Sequence, residues 1–140
     1  MKDQYKFSHE IRVRYSEIDG QKIVFNAHYH TYLDIAFTEY MREILGPQWI
    51  KDPHSLQFDP VLVKSTVHYK KPALLDDILT IYVRVKKIGN SSLTLESLIT
   101  RDDVVLIEAE MINANYDVVS KTAVPLPEKI KSKIKQFEGL

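Results

Sequence analysis

The sequence predicts an α+β fold in which one curved antiparallel sheet covers one long helix. An apolar stripe with helical spacing runs from about residue 27 to residue 45. Four strand-like segments then follow one another, and tight turns separate the last three. Because a helix with a broad apolar face has to be buried by its neighbours, we expect two layers, one of helix and one of sheet.

The composition is that of an ordinary globular protein. Hydrophobic residues make up 44% and charged residues 27% of the 140 residues, so we expect one domain that spans 1–140. There are 19 basic and 19 acidic residues, without the basic surplus typical of nucleic-acid-binding proteins. No segment has the roughly 20 apolar residues of a membrane span. The first residues lack the pattern of a signal peptide, so we expect a cytoplasmic protein.

The first predicted strand shows alternating polarity. Its polar positions are Ser8, Glu10, Arg12 and Arg14. Its apolar positions are Phe7, Ile11, Val13 and Tyr15. This period of two is typical of a half-buried strand. Residues 16–27 then carry turn chemistry, including Asp19-Gly20, and Glu17 resembles a solvated loop acid.

The helical stripe is wide and aromatic, which predicts a deeply buried helix. Its members are Tyr29, Tyr32, Leu33, Ala36, Phe37, Tyr40, Met41 and Ile44. Asn26 is a plausible N-cap, and Gly46-Pro47 should end the helix. Residues 48–60 look irregular.

Four strands are predicted at 61–70, 77–88, 92–101 and 104–117. The turns at residues 88–91 and 101–103 indicate that the last three form an antiparallel meander. Pro125 and Pro127 precede a short C-terminal helix. We expect its apolar residues to pack on an edge of the fold; they are Ile130, Ile134 and Phe137.

Three stretches carry a family resemblance, at residues 14–29, 32–40 and 67–79. The first reads RYSEIDGQKIVFNAHY, and together they resemble the 4-hydroxybenzoyl-CoA thioesterase family over residues 7–127. The most similar branch is the bacterial short-chain acyl-CoA thioesterases associated with the Tol-Pal system. The resemblance implies a hotdog fold, an acyl-CoA substrate and a homo-oligomer, because members of the family join two sheets edge to edge and often pair dimers into tetramers.

Hydrolysis of a thioester requires a nucleophile or an activated water, and a donor for the oxyanion. The chain has no cysteine and no Gly-x-Ser-x-Gly elbow, so thiolate and serine nucleophiles are unsupported. Asp19 lies in the loop before the helix, where it can be a base, a nucleophile or simply a turn residue. The resemblance implies that Asp19 is the catalytic carboxylate and that the backbone N–H of Asn26 is the oxyanion donor. It also places Tyr15 near the carboxylate, although a strand-core role explains Tyr15 equally well.

Three residues are candidates for binding the substrate. Lys22 stands where the family usually has glycine, which suggests a shifted loop path or a contact with the carboxylate or the phosphopantetheine arm. His28 is expected to cap the helix or to line the entrance of the site. Lys64 is a candidate for the CoA phosphates, although lysines at strand edges also prevent aggregation. The same two roles, binding of phosphate and protection of a strand edge, are open for Lys70, Lys71, Lys86 and Lys87. The acyl pocket should lie between the helix and a neighbouring sheet, closed by Tyr32, Trp49, Phe58 and Leu62 unless these are plain core residues.

No metal or cofactor is expected. His28 and His30 are two residues apart at a helix start, which directs them to different faces, and no zinc motif occurs. Three functions remain open: an acyl-CoA thioesterase, a thioesterase for acyl carrier protein, and an acyl-binding protein without catalysis.

Overall fold

A curved antiparallel sheet wraps around one long helix. This computed structural model describes residues 2–140. The strands are β1 (Phe7–Arg12), β2 (Pro60–Tyr69), β3 (Ile78–Ile88), β4 (Ser92–Arg101), β5 (Val104–Asp117) and β6 (Thr122–Ala123). The helices are α1 (His28–Leu45), α2 (Pro47–Lys51) and α3 (Glu128–Glu138). Within residues 2–140, no helix is both long enough and apolar enough to cross a membrane.

The strands lie in the order β1-β3-β4-β5-β2, and the short strand β6 pairs with the end of β5. The predicted meander of β3, β4 and β5 is confirmed, and the predicted bounds of β2–β5 agree to within one residue. Asp102 and Asp103 both have positive φ, at 50° and 66°, in the turn between β4 and β5. Two left-handed residues in succession match the twist of the flanking strands, which explains this tight turn.

Helix α1 buries its predicted stripe against the inner face of the sheet. Tyr32, Ala36, Tyr40 and Met41 are almost fully buried. They pack in the same core as the inward-facing residues of the sheet, among them Leu79, Ile81, Val83, Leu93, Leu95, Ile99 and Ile107. A fully buried side chain of this size stabilises the fold by about 1.5–3 kcal/mol. The helix is therefore fixed along its whole length.

The first strand is shorter than predicted. It ends at Arg12, because Val13 leaves the sheet: its N–H donates to the carbonyl of Asp77 (2.9 Å), and its carbonyl accepts from the N–H of Asp76 (3.1 Å). Tyr15 then begins a 3₁₀ helix and is 79% exposed. The prediction of Tyr15 as a strand-core residue is wrong.

The segment predicted to be irregular contains two short helices. Gly46, at φ 85°, ends α1, and Pro47 occupies the first position of α2, where its missing N–H costs nothing. A 3₁₀ helix follows at Pro53–Leu56. The segment is anchored by Trp49, whose Nε1 donates to the carbonyl of Phe58 (2.9 Å).

Helix α3 closes the core rather than covering an edge. It packs on α1 and on the interior strand β3, with Ile130 and Ile134 buried. Phe137 lies edge-on to Tyr40, with ring centroids 5.8 Å apart. The Tyr40 hydroxyl donates to Glu138 Oε2 (2.6 Å).

Strand β2 forms an exposed end of the sheet, which we call the β2 edge. It is hydrogen-bonded to β5 on one side only. Leu62 and Val63 are 52% and 60% exposed, and the next three residues are also exposed. Unpaired apolar edges of this kind favour pairing with another strand.

Candidate active site

Asp19 lies at the base of a tight hairpin between β1 and α1. Its N–H donates to the carbonyl of Ile23 (2.9 Å), and its carbonyl accepts from the N–H of Lys22 (2.9 Å). Lys22 adopts the left-handed conformation, at φ 66°. Glycine is the usual residue in such a position, so Lys22 accepts strain instead of rerouting the loop.

The carboxylate of Asp19 is oriented by its own loop. Its Oδ1 accepts a hydrogen bond of 2.7 Å from the N–H of Gln21, an Asx turn, and the residue is partly exposed. One carboxylate oxygen is thus held by the backbone while the side chain stays accessible from solvent.

Asn26 precedes the first turn of α1. The N-cap residue is Ala27, without a side-chain cap, so the prediction of Asn26 as N-cap is wrong. The Asn26 N–H donates to no acceptor among residues 2–140. It lies at the positive end of the helix dipole, where a free N–H favours a negatively charged ligand.

Asp19 and Asn26 line the same pocket, which has a volume of about 430 Å³. Its other walls are Gln21, Ile23, Val24, Tyr29, Tyr69, Lys70, Lys71 and Pro72. The two residues predicted to act together, Asp19 and Asn26, thus line one pocket. Lys70 and Lys71 supply positive charge to its lining, with Lys70 Nζ 2.9 Å from Glu108.

Two aromatic rings of this pocket were not expected there. Tyr29 and Tyr69 pack with ring centroids 5.7 Å apart. The Tyr29 hydroxyl accepts from the N–H of Ala73 (2.9 Å), and burial raises the pKa of Tyr29. In the sequence Tyr29 belongs to the apolar stripe, which gave no sign that its ring also reaches a pocket.

The remaining candidates lie outside this pocket of the chain. Tyr15 and Lys22 are exposed on the loop. His28 is partly buried, with its ring edge-on to Phe25 at 6.3 Å. Lys64 is exposed on β2, and the strand register places it next to Ile112 of β5.

Glu17 is not a solvated acid, and that prediction is wrong. It is 3% exposed and forms an ion pair with Arg14 (2.8 Å). The Tyr32 hydroxyl donates to it as well (2.9 Å). Burial raises the pKa of Glu17, but the hydrogen bonds from Arg14 and Tyr32 outweigh burial and hold the pKa below its ordinary value. The i, i+3 spacing of Arg14 and Glu17 was the signal that could have revealed this pair.

A second, smaller cavity of about 150 Å³ lies between α1 and the inner face of the sheet. Its apolar lining includes Leu33, Phe37, Leu62 and Met111. His30 stands at its polar side, with Nε2 3.3 Å from Ser65 Oγ. Of the residues expected to close an acyl pocket, only Leu62 lines this cavity; the others are buried in the core, namely Tyr32, Trp49 and Phe58.

Within residues 2–140, no group of three or more His, Asp or Glu side chains is arranged to hold a metal ion. His28 and His30 contact different surroundings, Phe25 and Ser65 respectively.

Comparison with known proteins identifies the family. The profile of the thioesterase superfamily matches residues 21–108. The acyl-CoA thioester hydrolase YbgC of Escherichia coli O6:H1 is 29% identical over 131 residues, 93% of this chain and 96% of the relative. The long-chain acyl-CoA thioesterase FadM of Escherichia coli K12 is 27% identical, over 91% of this chain and 96% of the relative.

Solved structures agree with this family assignment. A thioesterase from Thermus thermophilus, crystallised with coenzyme A and zinc, superposes with a TM-score of 0.86 at 27% identity. The match covers 99% of this chain and 98% of that one. The predicted hotdog fold and the resemblance to the 4-hydroxybenzoyl-CoA thioesterase family are confirmed. With the family profile covering more than half of its length, the chain belongs to the thioesterase superfamily.

Proposed function

We propose that the protein is an acyl-CoA thioesterase, which hydrolyses the thioester of an acyl-CoA to a free acid and CoA. The observation that supports this best is the common pocket of Asp19 and the free Asn26 N–H. One group can activate or replace water, and the other can receive the oxyanion. The relatives named as acyl-CoA thioesterases support the same activity.

In the proposed mechanism, Asp19 takes a proton from a water molecule, whose oxygen attacks the thioester carbonyl carbon. The carbonyl oxygen becomes an oxyanion and accepts a hydrogen bond from the Asn26 N–H. The C–S bond then breaks, and the CoA sulfur leaves with the proton held by Asp19. Alternatively, Asp19 attacks the carbonyl carbon itself and the C–S bond breaks, so that CoA leaves as a thiolate and takes a proton from water, and water then hydrolyses the resulting anhydride. A single turnover in ¹⁸O-water that labels Asp19 identifies this second route, with water attacking the Asp19 carbonyl of the anhydride, because the first route labels only the free acid.

The CoA part of the substrate is proposed to leave the pocket past Lys70 and Lys71, whose ammonium groups suit phosphate oxygens. Lys22, exposed on the same hairpin as Asp19, is proposed to contact the phosphopantetheine arm. Tyr15, from the resemblance, and His28 and Lys64, from their positions in the sequence, stay predictions, since each lies outside the pocket of its own chain.

The acyl group is proposed to enter the smaller cavity at the β2 edge. That cavity opens next to exposed Leu62, so a second copy paired along β2 would help to enclose it. We therefore propose a homo-oligomer, a dimer or a tetramer, that acts in the cytoplasm on CoA esters. The small volume of the cavity favours short acyl groups.

A thiol-release assay over a panel of acyl-CoAs of increasing length tests the proposal. We expect turnover, with kcat/KM falling as the chain outgrows the cavity. Turnover of thioesters of acyl carrier protein, but not of acyl-CoA, would identify a thioesterase for acyl carrier protein instead. Binding of acyl-CoA without any turnover would identify a non-catalytic acyl-binding protein.

A further inference from the structure

The mechanism above leaves one buried charge beside the pocket unused, the carboxylate of Glu17. Its Oε1 accepts from the N–H of Arg14 (2.8 Å) and the hydroxyl of Tyr32 (2.9 Å). Its Oε2 accepts from Nε and Nη2 of the Arg14 guanidinium, at 3.1 and 2.8 Å. Four donors therefore fix both oxygens of a carboxylate that is 3% exposed. Because the carboxylate is buried, although the Arg14 side chain is exposed, removing one of its donors is costly, and so the donors hold it in place.

The same residue is bonded to chain segments that adjoin Asp19 and Asn26. Glu17 precedes Asp19 by two residues, and the carbonyl of Glu17 accepts from the N–H of Phe25 (2.9 Å), immediately before Asn26. Its side chain meanwhile contacts Tyr32 on the second turn of α1. The Asp19 hairpin and the start of α1 are thus both tied to Glu17.

We propose that Glu17 is a positioning residue, which holds the Asn26 N–H at a fixed place relative to the Asp19 carboxylate. This inference rests on the proposed thioesterase function. Glu17 does not touch the substrate; it acts through the backbone bond to Phe25 and the contact with Tyr32. Displacement of reacting groups by about 1 Å can cost on the order of 10²-fold in rate, so the link matters for catalysis as well as for folding.

Tyr32→Phe tests the link with the least disturbance, because it removes one hydroxyl and keeps the ring. Tyr40→Phe is a closely matched control. Tyr40 lies on the same helix, is equally buried, and also donates its hydroxyl to a glutamate, Glu138, but it is two turns away from the site. Both variants lose one hydroxyl–carboxylate bond. Only Tyr32→Phe loosens the proposed link.

We expect kcat of Tyr32→Phe to fall at least about tenfold below that of Tyr40→Phe, with KM of both close to wild type. Hydrogen exchange supplies a readout that does not depend on activity: the Phe25 amide should exchange faster in Tyr32→Phe and remain protected in Tyr40→Phe. Equal kcat in the two variants, or an unchanged Phe25 amide in Tyr32→Phe, would overturn the proposal.

Glu17→Gln provides a second variant. The N–H₂ group of the new glutamine would face the donors of Arg14 or Tyr32, and it cannot accept a hydrogen bond from them. At temperatures where the variant is folded, we therefore expect a larger loss of kcat than in Tyr32→Phe. A wild-type protein without any thioester turnover would overturn the proposed function. In that case the exchange rate of Phe25 would still decide whether Glu17 holds this segment.

Discussion

At the scale of single residues, Asp19 and Lys22 show how much chemistry depends on one tight hairpin. Asp19 places its carboxylate in the pocket only because the chain reverses over the next three residues, with Lys22 in the left-handed region. Substitutions of Asp19 and Lys22 distinguish the contribution of each side chain to the stability of the hairpin from its contribution to the reaction.

Asp19→Asn should keep the fold and lose turnover. The Asn amide oxygen can still accept from the Gln21 N–H, so the Asx turn survives, but an amide can neither take the proton nor attack as an anion. We expect kcat to fall by about 10²–10⁴-fold with little change in stability. Steady-state kinetics and urea denaturation measure both effects.

Asp52→Asn is the control, because Asp52 is also a loop aspartate, is exposed, and lies beyond the other end of α1. Glu17→Gln, although closer in sequence, is unsuitable as a control, because Glu17 is buried. Wild-type turnover in Asp19→Asn would contradict the assigned mechanism.

Lys22→Gly should stabilise the protein and weaken substrate binding. Glycine relieves the positive φ, and after its greater freedom in the unfolded chain is subtracted we expect a gain of about 0.5 kcal/mol. If Lys22 contacts the phosphopantetheine arm, KM rises.

Lys121→Gly is the same change in the same conformation, at φ 58° in the exposed β5–β6 hairpin. We expect a similar gain in stability there without an effect on KM. An equal KM in the two variants would exclude Lys22 from substrate binding.

At the scale of elements, the sequence predicted those whose signal is local. The strand-like segments of β3–β5, the tight turns between them and the aromatic stripe of α1 appear directly in the order of residues, and so their bounds were right to within a residue or two. The burial of Glu17 and the exposure of Tyr15 depend on partners elsewhere in space, Tyr32 in the first case and the departure of Val13 from the sheet in the second. Such contacts leave no periodic trace in the sequence.

At this scale, we predict that protomers associate through the β2 edge. Val63→Lys should weaken association of the protomers, because two copies paired along β2 would bring like charges together, which costs several kcal/mol. An increase of more than about tenfold in the dissociation constant is expected by light scattering over a dilution series.

Val119→Lys introduces the same charge at the tip of the β5–β6 hairpin, where Val119 is 87% exposed. This control should associate like wild type. A wild-type monomer at micromolar concentration with full activity would remove the case for an oligomer altogether.

At the scale of the whole molecule, stability should fall in acid partly because of Glu17. Its pKa is lowered in the folded protein from an ordinary value of 4.5. The unfolded chain therefore takes up a proton first as the pH falls. The stabilisation from ionised Glu17 is complete above about pH 4.5 and is lost as the pH falls towards the folded pKa.

Urea denaturation at pH 7 and pH 3.5 tests this. Glu17→Gln should be less stable than wild type at pH 7, and the difference should narrow at pH 3.5. Glu43→Gln, at an exposed position of α1, should follow the wild-type curve. A constant difference between Glu17→Gln and wild type at both pH values would show that the hydrogen bonds, and not the charge, matter.

The only tryptophan of the chain lies in a useful place for these experiments. Trp49 is 7% exposed and is bonded to Phe58 beyond the C-terminal end of α1, whereas Asp19 precedes the N-terminal end. An 18-residue helix is about 27 Å long, so the indole is remote from the reaction. Its fluorescence emission should shift to the red when the protein unfolds and stay constant when only the hairpin is altered. The protein thus carries an intrinsic optical reporter that tells a misfolded variant from a folded but inactive one in the same cuvette.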